Sequence, residues 1–348
     1  MGFEILKVIP NMVIHWVNKE EIWTSSNYTI FKSTDGGDNF SKIVELKVPI
    51  WFSIAGGNRL IARALRLGIR SLRILKSGTI LAIANKRVFR IRDNKAEVTY
   101  IFERGLGPLR QGWCEDEEGN VYIGEYFLNN KRAFPVRLLK SNDDGKTWRT
   151  IYSFENIRHI HCVQFDPFTR AIWVGTGDRD EESGIFYSKD EKNWVAIGSG
   201  NQMFRTVSLI FTKDYVYWGT DIPTRQNYIC RFERKSGKIE RLVAVDGPVH
   251  YSTILEDGTL IFATTVEGNS EGRSAEWDKR AHIWASRNGK DWEDIISWEK
   301  DRWPYLLGYG RILFGQGKHG KFLFLTTQCL KGIDNCLIKG RLKGEDHV

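Results

Sequence analysis

Seven times along the chain an apolar run breaks at a tight polar turn and resumes as a second apolar run. The turns lie in VNKEEIW near 19, LKSGTILAIA near 77, DEEGNVYIGE near 119, DPFTRAIWVGTG near 168, TKDYVYWGTD near 214, EDGTLIFATT near 257 and GKHGKFLFLTT near 319. Their spacing of roughly 50 residues fits one four-stranded antiparallel unit per repeat. Such a unit cannot bury both faces alone, and the architecture that repeats it radially is the β-propeller. The expected fold class is therefore all-β, a seven-bladed β-propeller forming a single domain over 1–348, with six blades as the alternative count. Helical periodicity is scarce, and ARALRLG (62–68) and NSEGRSAEWDKRA (269–281) read as loop insertions. The last repeat supplies about three strands (YGRILFG, FLFLTT, NCLIKGRL), while the chain begins with a spare apolar run, FEILKVI. That N-terminal strand is expected to complete the last blade and leave no open edge.

A second signal shares the period. SNDDGKTW (141–148) recurs as STDGGDNF (33–40), SKDEKNW (188–194) and SRNGKDW (286–292), each between two apolar strands. An Asp or Asn side chain can accept hydrogen bonds from turn amides, Gly supplies a positive φ, and the aromatic packs between units. Asp35, Asp143 and Asp190 are accordingly expected to be structural.

The octet resembles the Asp box, or bacterial neuraminidase repeat, of sialidase-like β-propellers. One copy is complete and three are degenerate, in four of the seven repeats. The resemblance implies a propeller, with the boxes between its third and fourth strands, and a family that is mostly glycan-active. It includes glycosidases, some polysaccharide lyases and a minority of binding proteins. Sialidases proper carry Phe-Arg-Ile-Pro before the first box; the nearest match here, FRIR (89–92), follows it and has Arg92 in place of Pro. Uronate- and sialate-type sugars both stay open.

Charge and cysteine narrow the partners. The net charge of +8 favours an acidic one, but no basic run reaches five residues, so an acidic oligosaccharide is expected and nucleic acid is not. No run approaches a membrane span and no basic-apolar leader opens the chain, which leads to the expectation of a cytoplasmic form with no membrane partner. Five scattered cysteines without a CxxC read as buried thiols, with Cys329 and Cys336 placed to face each other across a hairpin. No metal and no cofactor is expected.

In a propeller the first strand of each blade starts, and the second ends, on the face around the central channel. Before the turns stand Arg70, Arg110, His159 with His161, Arg205, His250 with Tyr251, and Arg311; just after the second strands come Glu125 with Tyr126, Asp178, Asp221 and Glu267. Four consecutive repeats thus place an acid at one equivalent position and a base at another. Packing alone would call for apolar residues there. Arg70, Arg110, Arg205 and Arg311, with His250 and Tyr126, are read as a floor that grips a substrate carboxylate. Asp178, Asp221, Glu125, Glu267, His159, His161 and Tyr251 are read as the catalytic candidates.

Three functions fit this set. A glycoside hydrolase needs two carboxyls, or a Tyr–Glu pair such as Tyr251 with Glu267. A uronate lyase needs a cation, a base and an acid, which the Arg, His and Tyr residues supply. A non-catalytic binding propeller would show the same carboxyls all held in salt bridges. The hydrolase is the leading expectation.

Overall fold

Seven antiparallel sheets follow one another along the chain, making the protein a seven-bladed β-propeller. The computed structural model describes residues 1–19, 21–268 and 278–344. The alternative of six blades is excluded, because each of the seven turns joins the first two strands of its own sheet. Two compact units divide the chain: 70–222 with 228–242, holding blades 2 to 4 and most of blade 5, and 1–69 with 223–227 and 243–348, holding blades 6, 7 and 1.

In the first unit, blade 3 is built from Trp113–Glu115, Val121–Gly124, Val136–Ser141 and Arg149–Phe154, and blade 4 from His159–Asp166, Ala171–Gly177, Gly184–Ser188 and Val195–Ser199. Their second strands, VYIG and AIWVGTG, are buried at every position, which is why they read as unbroken apolar runs. The fourth strands, RTIYSF and VAIGS, are half-exposed. Trp113, Trp173 and Trp218 lie in the core of this unit, so these tryptophans pack blades.

In the second unit, blade 7 has the order Gly2–Pro10, Cys336–Lys343, Leu323–Gln328, Arg311–Phe314. The N-terminal strand is the outer strand of the last blade, antiparallel to Cys336–Lys343 with Gly2 opposite Lys343 and Pro10 opposite Cys336. Cys329 and Cys336 are both buried and unbridged; their thiols reach the carbonyls of Leu307 and Asp334 instead.

The octets sit between third and fourth strands, as expected, and their chemistry is that of a turn. Asp143 accepts hydrogen bonds from the amides of Lys146 (3.1 Å) and Thr147 (2.9 Å) and from the hydroxyls of Ser141 and Thr147. Asp35 and Asp190 repeat the pattern with Asn39 and Asn193. Gly145 has φ +76°, and a Cβ there would strike Leu81 of the preceding blade. The closing aromatics bridge blades: Trp148 lies 6.3 Å from Tyr100, and Trp194 lies 5.4 Å from Tyr152.

Partial burial works against ionisation of Asp143, but the Thr147 hydroxyl and amide, Ser141 and Lys146 hold its carboxyl at about 2. A carboxyl depressed from its unfolded value of about 4 contributes stability that is complete above about pH 4 and lost as the pH falls toward about 2. Asp143→Ala is therefore expected to cost about 1–2 kcal/mol at neutral pH. The gap to the parent should narrow in acid, which urea unfolding at a series of pH values checks.

The insertion expected as a loop at 62–68 is a helix. An α-helix at Ile50–Gly57 (α1) is followed by one at Arg59–Leu65 (α2), and Asn58 caps the second by accepting from the amides of Leu60 (3.0 Å) and Ile61 (3.1 Å). Arg66 takes the left-handed conformation, φ 53°, that ends it. The run is too short to show a periodicity, so only the cap marked it. Of the insertion at 269–281, residues 269–277 lie outside the described residues, and Arg280 and Ala281 already belong to the strand Arg280–Ser286.

Candidate functional site

Three side chains of blade 4 converge on one spot. Strand pairing sets His159 opposite Gly177 and Ile160 opposite Thr176, and then resumes with Cys162 opposite Gly175. His161 is the extra residue of a β-bulge, which re-aims its side chain toward that of His159. The two Nε2 atoms stand 2.9 Å apart, and each faces Oδ1 of Asp178, at 3.3 Å from His159 and 3.2 Å from His161. Asp178 follows the second strand directly. Gly177 opens the space, since a Cβ there would lie 3.2 Å from Arg205 and 3.5 Å from His161.

The bulge is a recurring device. In blades 1, 4 and 6 the pairing of the first two strands skips one residue, and that residue is His15, His161 and His250 respectively. His15 spends its Nε2 on Ser25, 2.7 Å away. His161 and His250 face acids instead.

Around the blade 4 cluster the charges are matched. Arg205 Nη2 reaches Asp178 Oδ1 at 3.1 Å and its Nε reaches Asp221 Oδ2 at 3.1 Å. Arg158 binds the other oxygen of Asp178. The carbonyl of Asp178 accepts from Gln202 at 2.8 Å and from Arg205 at 3.0 Å. Tyr126 lies face-on to His159, ring centroids 4.0 Å apart. Burial opposes the charge on Asp178, but the two imidazoles and Arg205 outweigh it and hold the carboxyl far below the usual range. Burial pulls the His159 imidazole below its usual pKa, against the hydrogen bond and charge of Asp178.

The imidazoles are oriented from behind. His159 Nδ1 meets the carbonyl of Phe127 at 3.3 Å and donates to it, which sets the ring with Nε2 toward Asp178. His161 Nδ1 is buried without a hydrogen-bond partner and faces Asp221 Oδ2 at 3.9 Å. Two imidazoles and a carboxylate converging within 4.8 Å of one another, with the Phe127 carbonyl orienting the His159 ring, form a donor set that suits a divalent metal ion. The expectation of no metal rested on finding no third ligand at fixed spacing; strand pairing brings Asp178, 17 residues after His161, beside both imidazoles.

The other candidates have partners of their own. Glu125 is buried against Arg137, which grips it through Nε (3.0 Å) and Nη2 (2.7 Å). Arg110 is buried, and Arg70 precedes the strand Ser71–Ile74 with its amide on the Ile83 carbonyl. In the second unit, Glu267 meets His250 Nε2 at 2.8 Å, Tyr251 is buried, and the Arg311 guanidinium lies over the ring of Tyr309.

Sequence reasoning passed over Arg158, Arg137 and Glu182. Glu182 is buried, binds Arg132, and accepts from the amides of Arg158 (2.6 Å) and Arg179 (2.9 Å), so it sets the chain entering the His strand. Only Arg158 carried a signal, as the residue just before RHIHCV's first histidine.

No protein-family model and no curated protein matches the sequence. Among solved structures, the chain is similar to an oligogalacturonate lyase in complex with manganese, with a TM-score of 0.64 at 9% identity over 98% of this chain and 96% of that one. It is also similar to YCF48 bound to D1 peptide, with a TM-score of 0.58 at 9% identity over 100% and 97%. An ancestral GH74 enzyme matches with a TM-score of 0.57 at 11% identity, over 95% of this chain and 44% of that one. At such identities the likeness is one of fold.

Proposed function

We propose that the protein is a carbohydrate-active propeller that cleaves a uronate-bearing oligosaccharide by β-elimination, with a divalent cation held by His159, His161 and Asp178. The observation that carries this reading is the convergence of the two Nε2 atoms on Asp178, between Arg158 and Arg205. The similar lyase binds manganese, and the donor set here suits the same kind of ion.

The hydrolase reading is weaker because each candidate carboxylate is already engaged: Asp178 by imidazoles and arginines, Asp221 by Arg205, Glu125 by Arg137 and Glu267 by His250. That pairing also fits a binding propeller, and it is the convergence of His159, His161 and Asp178 that favours elimination over binding alone. A glycosidase needs one carboxyl kept protonated, and Asp178 is shifted the other way. Elimination asks for different groups. The C5 proton is removed, its electron pair forms the C4–C5 double bond, the C4–O bond breaks, and the leaving oxygen takes a proton. His159, His161 and Asp178 would hold a divalent cation, which would supply positive charge for the uronate carboxylate and so make the neighbouring C5–H more acidic. Arg158 and Arg205 add positive charge beside that carboxylate and orient it. Tyr126, stacked on His159, is assigned to both transfers: as the phenolate it takes the C5 proton, and as the phenol it gives that proton to the leaving oxygen.

The test is a panel of uronate and sialate oligosaccharides, assayed with manganese and after chelation, following near-ultraviolet absorbance together with reducing-end release. Absorbance and reducing ends rising together, and only with the metal, is the expected result. Reducing ends without absorbance would return the hydrolase. Silence across the panel would favour a binding propeller.

A further inference from the structure

We infer that the helical pair α1–α2, with the segment 301–307 beside it, is a surface that docks on an anionic lipid bilayer. α1, IWFSIAGG, has no charged side chain and no buried residue. A helix apolar all round belongs in a protein core or in lipid, yet this one is wet along its length. Ile50 is 76% exposed, Ile54 72% and Trp51 54%, and α1 is tied back by a hydrogen bond from Asn27 to the Ser53 carbonyl.

The face continues beyond α1. α2 is fastened to 301–307 through Arg63, whose Nε donates to the Leu307 carbonyl (2.7 Å) and whose Nη1 meets Asp301 (2.6 Å). This contact leaves Ile61 and Leu65 of α2 exposed beside Trp303, Tyr305 and Leu306, the last 90% exposed. Scattered apolar residues on a surface need no explanation, but a contiguous group of this kind marks an interaction site.

Charge and residue type select the partner. Residues 47–69 hold four basic and no acidic residues. Lys47, Arg66 and Arg302 are exposed there, while the acids of this region, Asp301 and Asp334, are consumed by Arg63 and Arg59. Trp and Tyr among Ile and Leu, flanked by cations, match the boundary of a bilayer carrying anionic headgroups. Neither helix can cross a membrane, so the contact is one that lies in the interface. The expectation of no membrane partner rested on the lack of a spanning run and does not bear on such a contact.

The test is flotation of the full chain with phosphatidylcholine vesicles containing or lacking phosphatidylglycerol. Binding to the anionic vesicles is expected, with a blue shift of tryptophan fluorescence and weakening by salt. The double substitution Ile50→Asp with Ile54→Asp, both at exposed positions, is expected to reduce binding roughly tenfold or more. Lys47→Glu with Arg66→Glu should reduce it by a similar factor. Unchanged far-ultraviolet dichroism and unfolding midpoints establish that the variants fold. Absence of flotation, or flotation insensitive to both pairs, would overturn the inference. So would a lipid-independent dimer abolished by Ile54→Asp, which would give the face to a second copy of the chain.

Discussion

Asp178→Asn is expected to abolish divalent-cation binding and to lower the unfolding free energy by about 3 kcal/mol. The carboxylate is the common partner of Arg158, Arg205, His159 and His161. An amide of the same shape keeps one acceptor oxygen but puts an NH2 where a second acceptor stood, against either a guanidinium or an imidazole pair. It also takes the carboxylate away from Arg158, while Arg205 keeps Asp221, and a charge that loses its partner is the costly case. Isothermal titration with manganese reads the first effect and urea unfolding the second. His161→Gln separates the two: it deletes one donor to the ion without removing the charge that balances the arginines, so cation affinity should fall while stability changes far less. If Asp178→Asn bound manganese as the parent does, the assignment of the cluster as a cation site would fail.

Gly105→Ala carries the second large effect, and it acts from outside the cluster. Gly105 has φ +72°, and a Cβ there would lie 2.2 Å from the Tyr126 carbonyl oxygen and 3.0 Å from Phe127 Cβ. The backbone has to move, because a left-handed conformation is already unfavourable for Ala and the nearest atom belongs to the main chain. Strain and displacement together are expected to cost about 3 kcal/mol. The chain that moves is the one that stacks Tyr126 on His159 and offers the Phe127 carbonyl to His159 Nδ1. Cation affinity should therefore drop along with stability. Gly78→Ala is the control, since Gly78 has φ +82° but nothing within 4 Å of a Cβ; it should show only about 1 kcal/mol of strain and unchanged manganese affinity.

The blades were legible because each leaves two marks at fixed offsets, the turn between its first strands and, in four of them, the octet between its last. Strand pairing then carried His159, His161 and Asp178 to equivalent ends of neighbouring strands, so their nearness could be read as a position in the repeat. The partners of those residues could not. Arg158 reaches Asp178 from outside its strand, Arg137 reaches Glu125 from the third strand, and Glu182 reaches back to the Arg158 amide from a short 3-10 turn. None of these contacts has a period. Whether a lined-up acid is a free carboxyl or half of an ion pair is decided by such contacts, and they are why elimination is proposed here ahead of hydrolysis. The bulged histidines fall between the two cases: His15, His161 and His250 share one structural position, but a single extra residue is invisible in a strand of this length.

The pairing of Gly2–Pro10 with Cys336–Lys343 also has a consequence for synthesis. Gly2–Pro10 is made more than 300 residues before its partner Cys336–Lys343 and must wait for it before it has a neighbour. At cellular elongation rates that interval is on the order of tens of seconds. Throughout it, a nine-residue run rich in Ile, Leu and Val offers unsatisfied amides and carbonyls to whatever passes. Nascent-chain crosslinking at Ile5 should therefore capture a chaperone or a second nascent chain until residue 343 has emerged, and stop doing so afterwards.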